Sequence, residues 1–141
     1  MNKTLLRIAF ADDDRDDHLL FYKAIKSHFT SPIIDCFFNS DDLLFCYNNG
    51  RNINPHIIFL DKNMPGNYNY ECLVRIKTSR HLSSVPVIIY STSSDPNEVA
   101  KSLNLGASAF ITKPILFQET VECLRNIIQQ HVPLNMGYLH V

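Results

Sequence analysis

Residues 8–17 read IAFADDDRDD, an apolar run that ends in three consecutive aspartates, Asp12, Asp13 and Asp14, with Asp16 and Asp17 behind them. Crowded carboxylates repel, and each raises its neighbours' pKa where water is partly excluded. Such a cluster either faces open solvent or receives a cation. Three further apolar runs end in reactive groups: IIFLDKNMPG presents Asp61, VIIYSTSS presents Ser91 and Thr92, and AFITKP presents Lys113 before Pro114. Two or three carboxylates, a hydroxyl and an ammonium make a set suited to phosphoryl chemistry. Carboxylate oxygens suit Mg²⁺, which takes one or two of them along with waters and a substrate phosphate. A carboxylate such as Asp61 can also act as a nucleophile and form an acyl phosphate. In-line transfer then draws on positioned charge and hydrogen-bond donors around the equatorial oxygens, which Lys113, Ser91 and a metal could supply.

For these groups to act together, the runs that carry them must end at one edge of one sheet. The chain alternates short apolar runs with longer segments of helical period. LLRIAFA (5–11), IIDCFF (33–38), HIIFL (56–60), VPVIIYS (85–91) and SAFITK (108–113) read as five strands. At least three are apolar almost throughout, as strands covered on both faces tend to be. Helices are expected between and after them. Residues 15–29 carry a stripe of Leu19, Leu20, Tyr22, Ala24, Ile25 and Phe29, and 41–49 follow Asn39 and Ser40, either of which can cap, and close before Gly50. Residues 70–80 carry Leu73, Val74, Ile76 and Lys77 on successive turns. The next helix is punctuated by Asp95 as N-cap, Pro96 at its first position and Gly106 past its end. The last covers about 115–131, with Phe117, Val121, Leu124 and Ile128 facing inward. Five βα units in succession favour a doubly wound parallel α/β sheet with helices on both faces. In such sheets the functional crevice lies beyond the carboxyl ends of the strands, where strand order reverses.

Composition narrows the function classes. The 141 residues fit one domain, and 45% hydrophobic with 19% charged residues is ordinary for a globular protein. A net charge of −1 gives no basic footprint for nucleic acid. No apolar stretch is long enough for a membrane span, and the start MNKTLLRIAFADDD runs into acid without a cleavage site, so a cytoplasmic protein is expected. Cys36, Cys46, Cys72 and Cys123 form no C-x-x-C pair and read as reduced thiols packed as small hydrophobes.

Four motifs in order, IAFADDD, IIFLDKNMPG, PVIIYSTSS and GASAFITKP, make the chain resemble the receiver domain of two-component response regulators across nearly all of residues 5–130. The resemblance implies a flavodoxin-like (βα)5 sheet of strand order 2-1-3-4-5, with a receiver domain over 1–131 and a C-terminal tail over 132–141. It aligns Asp61 with the aspartate that accepts a phosphoryl group from a kinase phosphohistidine. Asp13 matches the direct Mg²⁺ ligand, Asp12 the acid that reaches the metal through water, and Asn63 the position whose backbone carbonyl binds it. Ser91 matches the hydroxyl that bonds a phosphoryl oxygen, Lys113 the phosphate-pairing lysine and Phe110 the aromatic switch residue of strand 5. The family's cis bond falls between Lys113 and Pro114. Expected partners are a sensor histidine kinase or histidine phosphotransfer protein, and a separate output protein on the face of helix 4, strand 5 and helix 5. Too few residues follow the fifth helix for an attached effector, and a monomer or weak homodimer is expected. The chemistry is that of a switch rather than a turnover enzyme.

The chain departs from the family pattern after MPG, where Asn67-Tyr68-Asn69 stands. Asn69 replaces the usual glycine and tolerates a left-handed backbone. Tyr68 replaces a common acid at the entrance to Asp61, Phe110 lacks a hydroxyl, and Lys62 brings a charge that could tune phosphoryl lifetime. Plainer readings stand beside these. Asp14, Asp16 and Asp17 read as caps and dipole complements of the first helix. Asp12 and Asp13 go to the metal because they fall at a strand end. Asp61 alone could open a turn, Thr92 could be a plain strand-end hydroxyl, Lys113 a solvated lysine and Phe110 core. The six histidines lie at no metal-ligand spacing, and only His18 is close to the acidic segment. The apolar tail 132–141 could pack on its own domain or on a second copy.

Three rivals remain. A haloacid-dehalogenase-like phosphatase shares the nucleophilic Asp, Mg²⁺, Ser/Thr and Lys but wants a second acid where Asn63 stands. A flavodoxin-type nucleotide binder wants N–H donors where ADDDRDD presents acid. A receiver that works without phosphorylation would not need Asp13, Asp61, Ser91 and Lys113 together.

Overall fold

The five apolar runs become one parallel sheet in the computed structural model, which describes residues 5–49 and 53–133. The strands are β1 (Arg7–Ala11), β2 (Ile33–Phe37), β3 (Ile57–Leu60), β4 (Val87–Ser91) and β5 (Ala109–Thr112), in the order β2-β1-β3-β4-β5. Between and after them run α1 (Arg15–Lys26), α2 (Ser40–Asn48), α3 (Glu71–Thr78), α4 (Pro96–Asn104) and α5 (Phe117–His131), with a 3₁₀ turn at Tyr68–Tyr70 leading into α3. The strand order and the doubly wound plan agree with the sequence reading. None of the helices among the described residues is long and apolar enough to cross a membrane.

Side chains alternate across each strand, so one strand feeds two cores. Ile8 and Phe10 of β1, Ile57 and Phe59 of β3 and Ile88 and Tyr90 of β4 pack with Phe21, Ala24 and Ile25 of α1 and Leu124, Ile127 and Ile128 of α5. Ala9 and Ala11, Ile58 and Leu60, and Val87 and Ile89 point the other way, onto Leu43, Leu44 and Tyr47 of α2 and Leu73 and Ile76 of α3. The central strands therefore read as continuous apolar runs because both of their faces are covered. α4 is the exception among the helices: Ser102 is its buried residue.

Helix starts follow the punctuation. Asp14 caps α1 by accepting from the Asp16 and Asp17 N–H groups, Asn39 rather than Ser40 caps α2 through the Asp42 N–H, and Asp95 caps α4 ahead of Pro96. Three faces differ from expectation. On α1 the stripe residues Leu19, Leu20 and Tyr22 are about half exposed, while His18 and Phe21 are buried. On α3 Val74 is exposed and Cys72 is buried in its place, and Phe117 of α5 is 44% exposed. On α1 and α3 residues one or two positions apart compete for a stripe, and the angle at which the helix meets the twisted sheet decides which is covered.

The left-handed backbone expected at Asn69 falls one residue later, on Tyr70, at φ 62° and ψ 30°. Burial of its ring and a bond from its hydroxyl to the Glu98 carbonyl (3.2 Å) hold that conformation in place. The four cysteines are free thiols, with Cys72 buried and Cys36 exposed. Of the tail, 134–141 and its expected packing lie outside the described residues, whereas Val132 is buried against the α1/α5 core.

Gly66 makes the loop after β3 possible. Its φ is +87°, and an added Cβ would collide with the Ser40 side chain at the start of α2, whose backbone N–H donates to the Pro65 carbonyl at 3.2 Å. Gly66→Ala is expected to destabilise the protein by about 2 kcal/mol, from left-handed strain together with overpacking. Urea unfolding measures this. Adding Ser40→Ala should recover only the steric share, and a Gly66→Ala protein as stable as its parent would show that the loop adapts freely.

Candidate functional site

Strand order reverses between β1 and β3, and the two chain ends there lie side by side. The Asp61 N–H donates to the Ala11 carbonyl at 2.9 Å, and the Asp12 N–H donates to the Phe37 carbonyl at 3.0 Å. β1 thus releases Asp12 and Asp13, and β3 releases Asp61, at the same edge. Asp12 and Asp61 are buried and Asp13 is exposed. One oxygen from each of the three carboxylates can be chosen so that all lie within 4.8 Å of one another.

Each carboxylate is fixed by its own loop. Asp12 Oδ1 accepts from the Asp14 N–H at 2.9 Å, and Asp61 Oδ1 accepts from the Asn63 N–H at 3.1 Å. Behind Asp61 lies Asn67, fully buried. Its Nδ2 donates to the Asp61 carbonyl at 2.9 Å, and its Oδ1 accepts from the Cys72 and Leu73 N–H groups at 3.1 and 3.4 Å. Asn67 therefore ties the loop after β3 to the first turn of α3. Sequence reasoning noted Asn67 only as a departure, although an amide can satisfy donors and acceptors at once in a way that no aliphatic side chain could.

β5 ends one residue before Lys113, whose N–H donates to the Ser91 carbonyl at 2.7 Å. That bond sets Ser91, buried at the end of β4, beside Lys113 at the same edge. The Lys113 side chain is 9% exposed, and its Nζ lies 2.6 Å from Asp12 Oδ2, 2.8 Å from Asp17 Oδ2 and 3.5 Å from Asp61 Oδ2, and 5.7 Å from the centre of the Tyr90 ring. The Lys113–Pro114 bond is trans, against the cis bond implied by the resemblance, since no cis peptide occurs among the described residues. The two isomers of an X–Pro bond differ by only about 0.5–1 kcal/mol, so local contacts decide between them. Phe110 is half-buried in β5, packed against the α2/α3 core. Thr92 is exposed.

Two residues of α1 join the site, one missed by sequence reasoning and one, His18, noted there only for its closeness to the acidic segment. Asp17 was assigned to the helix dipole, yet its carboxylate accepts from Lys113. His18 Nε2 donates to the Asp12 carbonyl at 2.7 Å, with its ring between Phe10 and Phe38 at 4.8 and 4.4 Å. On the far side of Asp61, Lys62 Nζ lies 3.5 Å from Glu98 Oε2 of α4.

The electrostatics describe a pocket short of positive charge. Loss of water pushes Asp12 up to about 7, despite the opposing pull of Lys113 and the Asp14 N–H, and Asp61 nearby adds to the rise. Burial works against the Lys113 ammonium, but its bonds to Asp12 and Asp17 and the charge of Asp61 outweigh that and hold its pKa above the ordinary lysine value. One ammonium faces three carboxylates, and Asp13 adds a fourth to the cluster. The donor set is hard oxygen, and a buried carboxylate with a raised pKa is what a divalent cation would relieve, so these residues fit such an ion.

Comparison with known proteins agrees with this arrangement. The family model described as response regulator receiver domain matches residues 12–125. A rice (Oryza sativa subsp. japonica) two-component response regulator, ORR6, is 40% identical over 62 residues, covering 44% of this chain and 36% of that protein. ORR1 from the same plant is 29% identical over 125 residues, covering 85% of this chain and 54% of that protein. The chain spans about half the length, or less, of the curated relatives it matches. Among solved structures, the phosphorylated cyanobacterial phytochrome response regulator RcpA superposes with a TM-score of 0.81 at 20% identity, covering 98% of this chain and all of that one. The Mn²⁺-bound form of response regulator Rcp1 gives 0.77 at 21% identity, covering 92% of this chain and 96% of that one. At such identities the likeness is one of fold.

Proposed function

The chain belongs to the response regulator receiver domain family, and from that premise we propose that it is a phosphorylation switch of two-component signalling, with Asp61 as the phosphoryl acceptor. One observation carries this reading: Asp12, Asp13 and Asp61 converge at the strand ends with the Lys113 ammonium among them. The donor is the phosphohistidine of a histidine kinase or histidine phosphotransfer protein. A carboxylate oxygen of Asp61 attacks phosphorus in line, the P–N bond breaks, and the imidazole leaves with its electron pair and takes up a proton. Lys113 meets the negative charge of the phosphoryl oxygens, and the Ser91 hydroxyl donates to one of them. Asp12, Asp13, Asp61 and the Asn63 carbonyl would hold Mg²⁺, which would supply neutralising charge for the transfer.

Switching follows from the same hydroxyl. As Ser91 turns to the phosphoryl group, Phe110 moves between its half-buried packing and the space that Ser91 leaves. α4 lies over that region with little core beneath it, so a change there alters its position at low cost. The output surface is the α4–β5–α5 face; between β5 and α5, Ile115 and Leu116 are exposed, Ile115 by 97%, as is Phe117 at the start of α5. A separate partner docks there. Asn63 stands where a haloacid-dehalogenase-like phosphatase needs its second acid, and the family match leaves that alternative without support.

The test is incubation with acetyl phosphate, a small phosphoryl donor, followed by intact-protein mass spectrometry. With Mg²⁺ the protein is expected to gain one phosphoryl mass. Chelation by EDTA should suppress the gain at least about a hundredfold in rate, as fits loss of a divalent counter-charge in a partly dry site. No gain with Mg²⁺ present would overturn the reading, and steady turnover of a phosphomonoester would restore the phosphatase.

A further inference from the structure

We propose that Asp17 is a positioning residue that keeps the Lys113 ammonium beside the pocket while Asp12 is given over to a divalent cation. The inference rests on the reading of Asp12, Asp13 and Asp61 as the cation site. Asp17 makes a contact that a capping role does not explain. The N-terminal needs of α1 are met by Asp14, which accepts from the Asp16 and Asp17 N–H groups. The Asp17 carboxylate instead meets Lys113, 96 residues away in sequence, at 2.8 Å.

Lys113 has three protons and three carboxylates within reach. Its two short bonds go to Asp12 (2.6 Å) and Asp17 (2.8 Å), and Asp61 is farther at 3.5 Å. Asp12 and Asp61 belong to the group whose oxygens converge on one point, and Asp17 does not. A cation held by Asp12, Asp13 and Asp61 would compete with the ammonium for the Asp12 carboxylate, and the two positive charges would repel. The Lys113 side chain, 9% exposed, has little water to turn to. Asp17, with 28% of its side chain exposed, leaves it one full charge-assisted bond outside the cation group. Without Asp17, a cation would have to strip a mostly buried ammonium of its strongest remaining partner.

Asp17 holds this place because α1 is fastened at the next residue. His18 is buried between Phe10 and Phe38 and donates to the Asp12 carbonyl at 2.7 Å, so the first turn of α1 is fixed against the end of β1. Neighbouring Asp16 is exposed and has no bond to Lys113. It offers the same charge at nearly the same distance along the chain, without the contact.

Mn²⁺ affinity of the full chain, read from the free-ion signal by electron paramagnetic resonance, tests the proposal without any phosphorylation. Asp17→Asn is expected to bind Mn²⁺ about tenfold more weakly than the parent, the scale of one lost charge-assisted bond. Asp17→Ala, lacking the acceptor altogether, should lose at least as much. Asp16→Asn should change affinity less than about twofold, since its charge is screened by solvent. In a Lys113→Met background, which should bind Mn²⁺ more tightly than the parent, Asp17→Asn is expected to cost no more than Asp16→Asn. The proposal is overturned if Asp17→Asn matches Asp16→Asn in the parent background, or if its full loss persists without Lys113. A parent that binds no Mn²⁺ would overturn the cation site along with it, which distinguishes the two failures.

Discussion

Asp61→Asn is expected to lose the entire phosphoryl mass gain from acetyl phosphate while keeping its fold. The substitution is close to isosteric. The new Oδ1 can still accept from the Asn63 N–H, and the backbone bonds to Ala11 and Asn67 are untouched. What disappears is the nucleophile, because a carboxamide oxygen does not carry the negative charge that attacks phosphorus. The charge facing Lys113 at 3.5 Å goes too. Circular dichroism should match the parent, and the mass spectrum should show no addition at times when the parent is fully converted. A gain at the parent's level would place the acceptor on another carboxylate, and the exposed Asp13 would be the next to replace.

The strand ends were legible because a doubly wound sheet leaves little choice. Once five apolar runs alternate with helical segments, the residues at or just past the ends of those runs lie along one edge, and Asp12, Asp61, Ser91 and Lys113 are all such residues. Hydrophobic period and punctuation carry that information locally. What the sequence could not convey depends on distances between segments remote in the chain. Asp17 has the same local pattern whether it complements a dipole or meets a lysine 96 positions away. His18 is one of six histidines in the chain, and only the packing of Phe10 and Phe38 around it makes it a fastener of β1. The stripe on α1 was misplaced because Leu20 and Phe21 are neighbours, and their order of burial follows from the crossing angle of the helix. The geometry of Lys113–Pro114 was read from resemblance alone, and the small intrinsic preference of an X–Pro bond left it open to local contacts.

Asp12 is where function and stability oppose each other, and Asp12→Asn is expected to make the metal-free protein more stable at pH 8. Burial raises the folded-state pKa of Asp12 from 3.8 to about 7. Between those values the folded chain holds a proton that the unfolded chain has lost. This contribution to stability is therefore fully present below pH 3.8, declines as pH rises and is gone above about 7. At pH 8 the ionised carboxylate, stripped of water, therefore costs the fold stability. Asparagine carries no such charge and can still accept from the Asp14 N–H, while Lys113 retains Asp17. A gain of about 1 kcal/mol or more is expected, the scale of one poorly solvated buried group after the weakened lysine contact is allowed for. Urea unfolding of parent and variant across pH should show the gap near its full size at pH 8 and closing toward pH 4. Adding Mg²⁺ should stabilise the parent and leave the variant nearly unmoved, because the charge the ion answers is no longer there. A variant less stable than the parent at pH 8 without metal would mean that the pairing with Lys113 outweighs the burial. The pocket would then be balanced before any cation arrives, and the pressure that draws one in would have to come from Asp13 and Asp61.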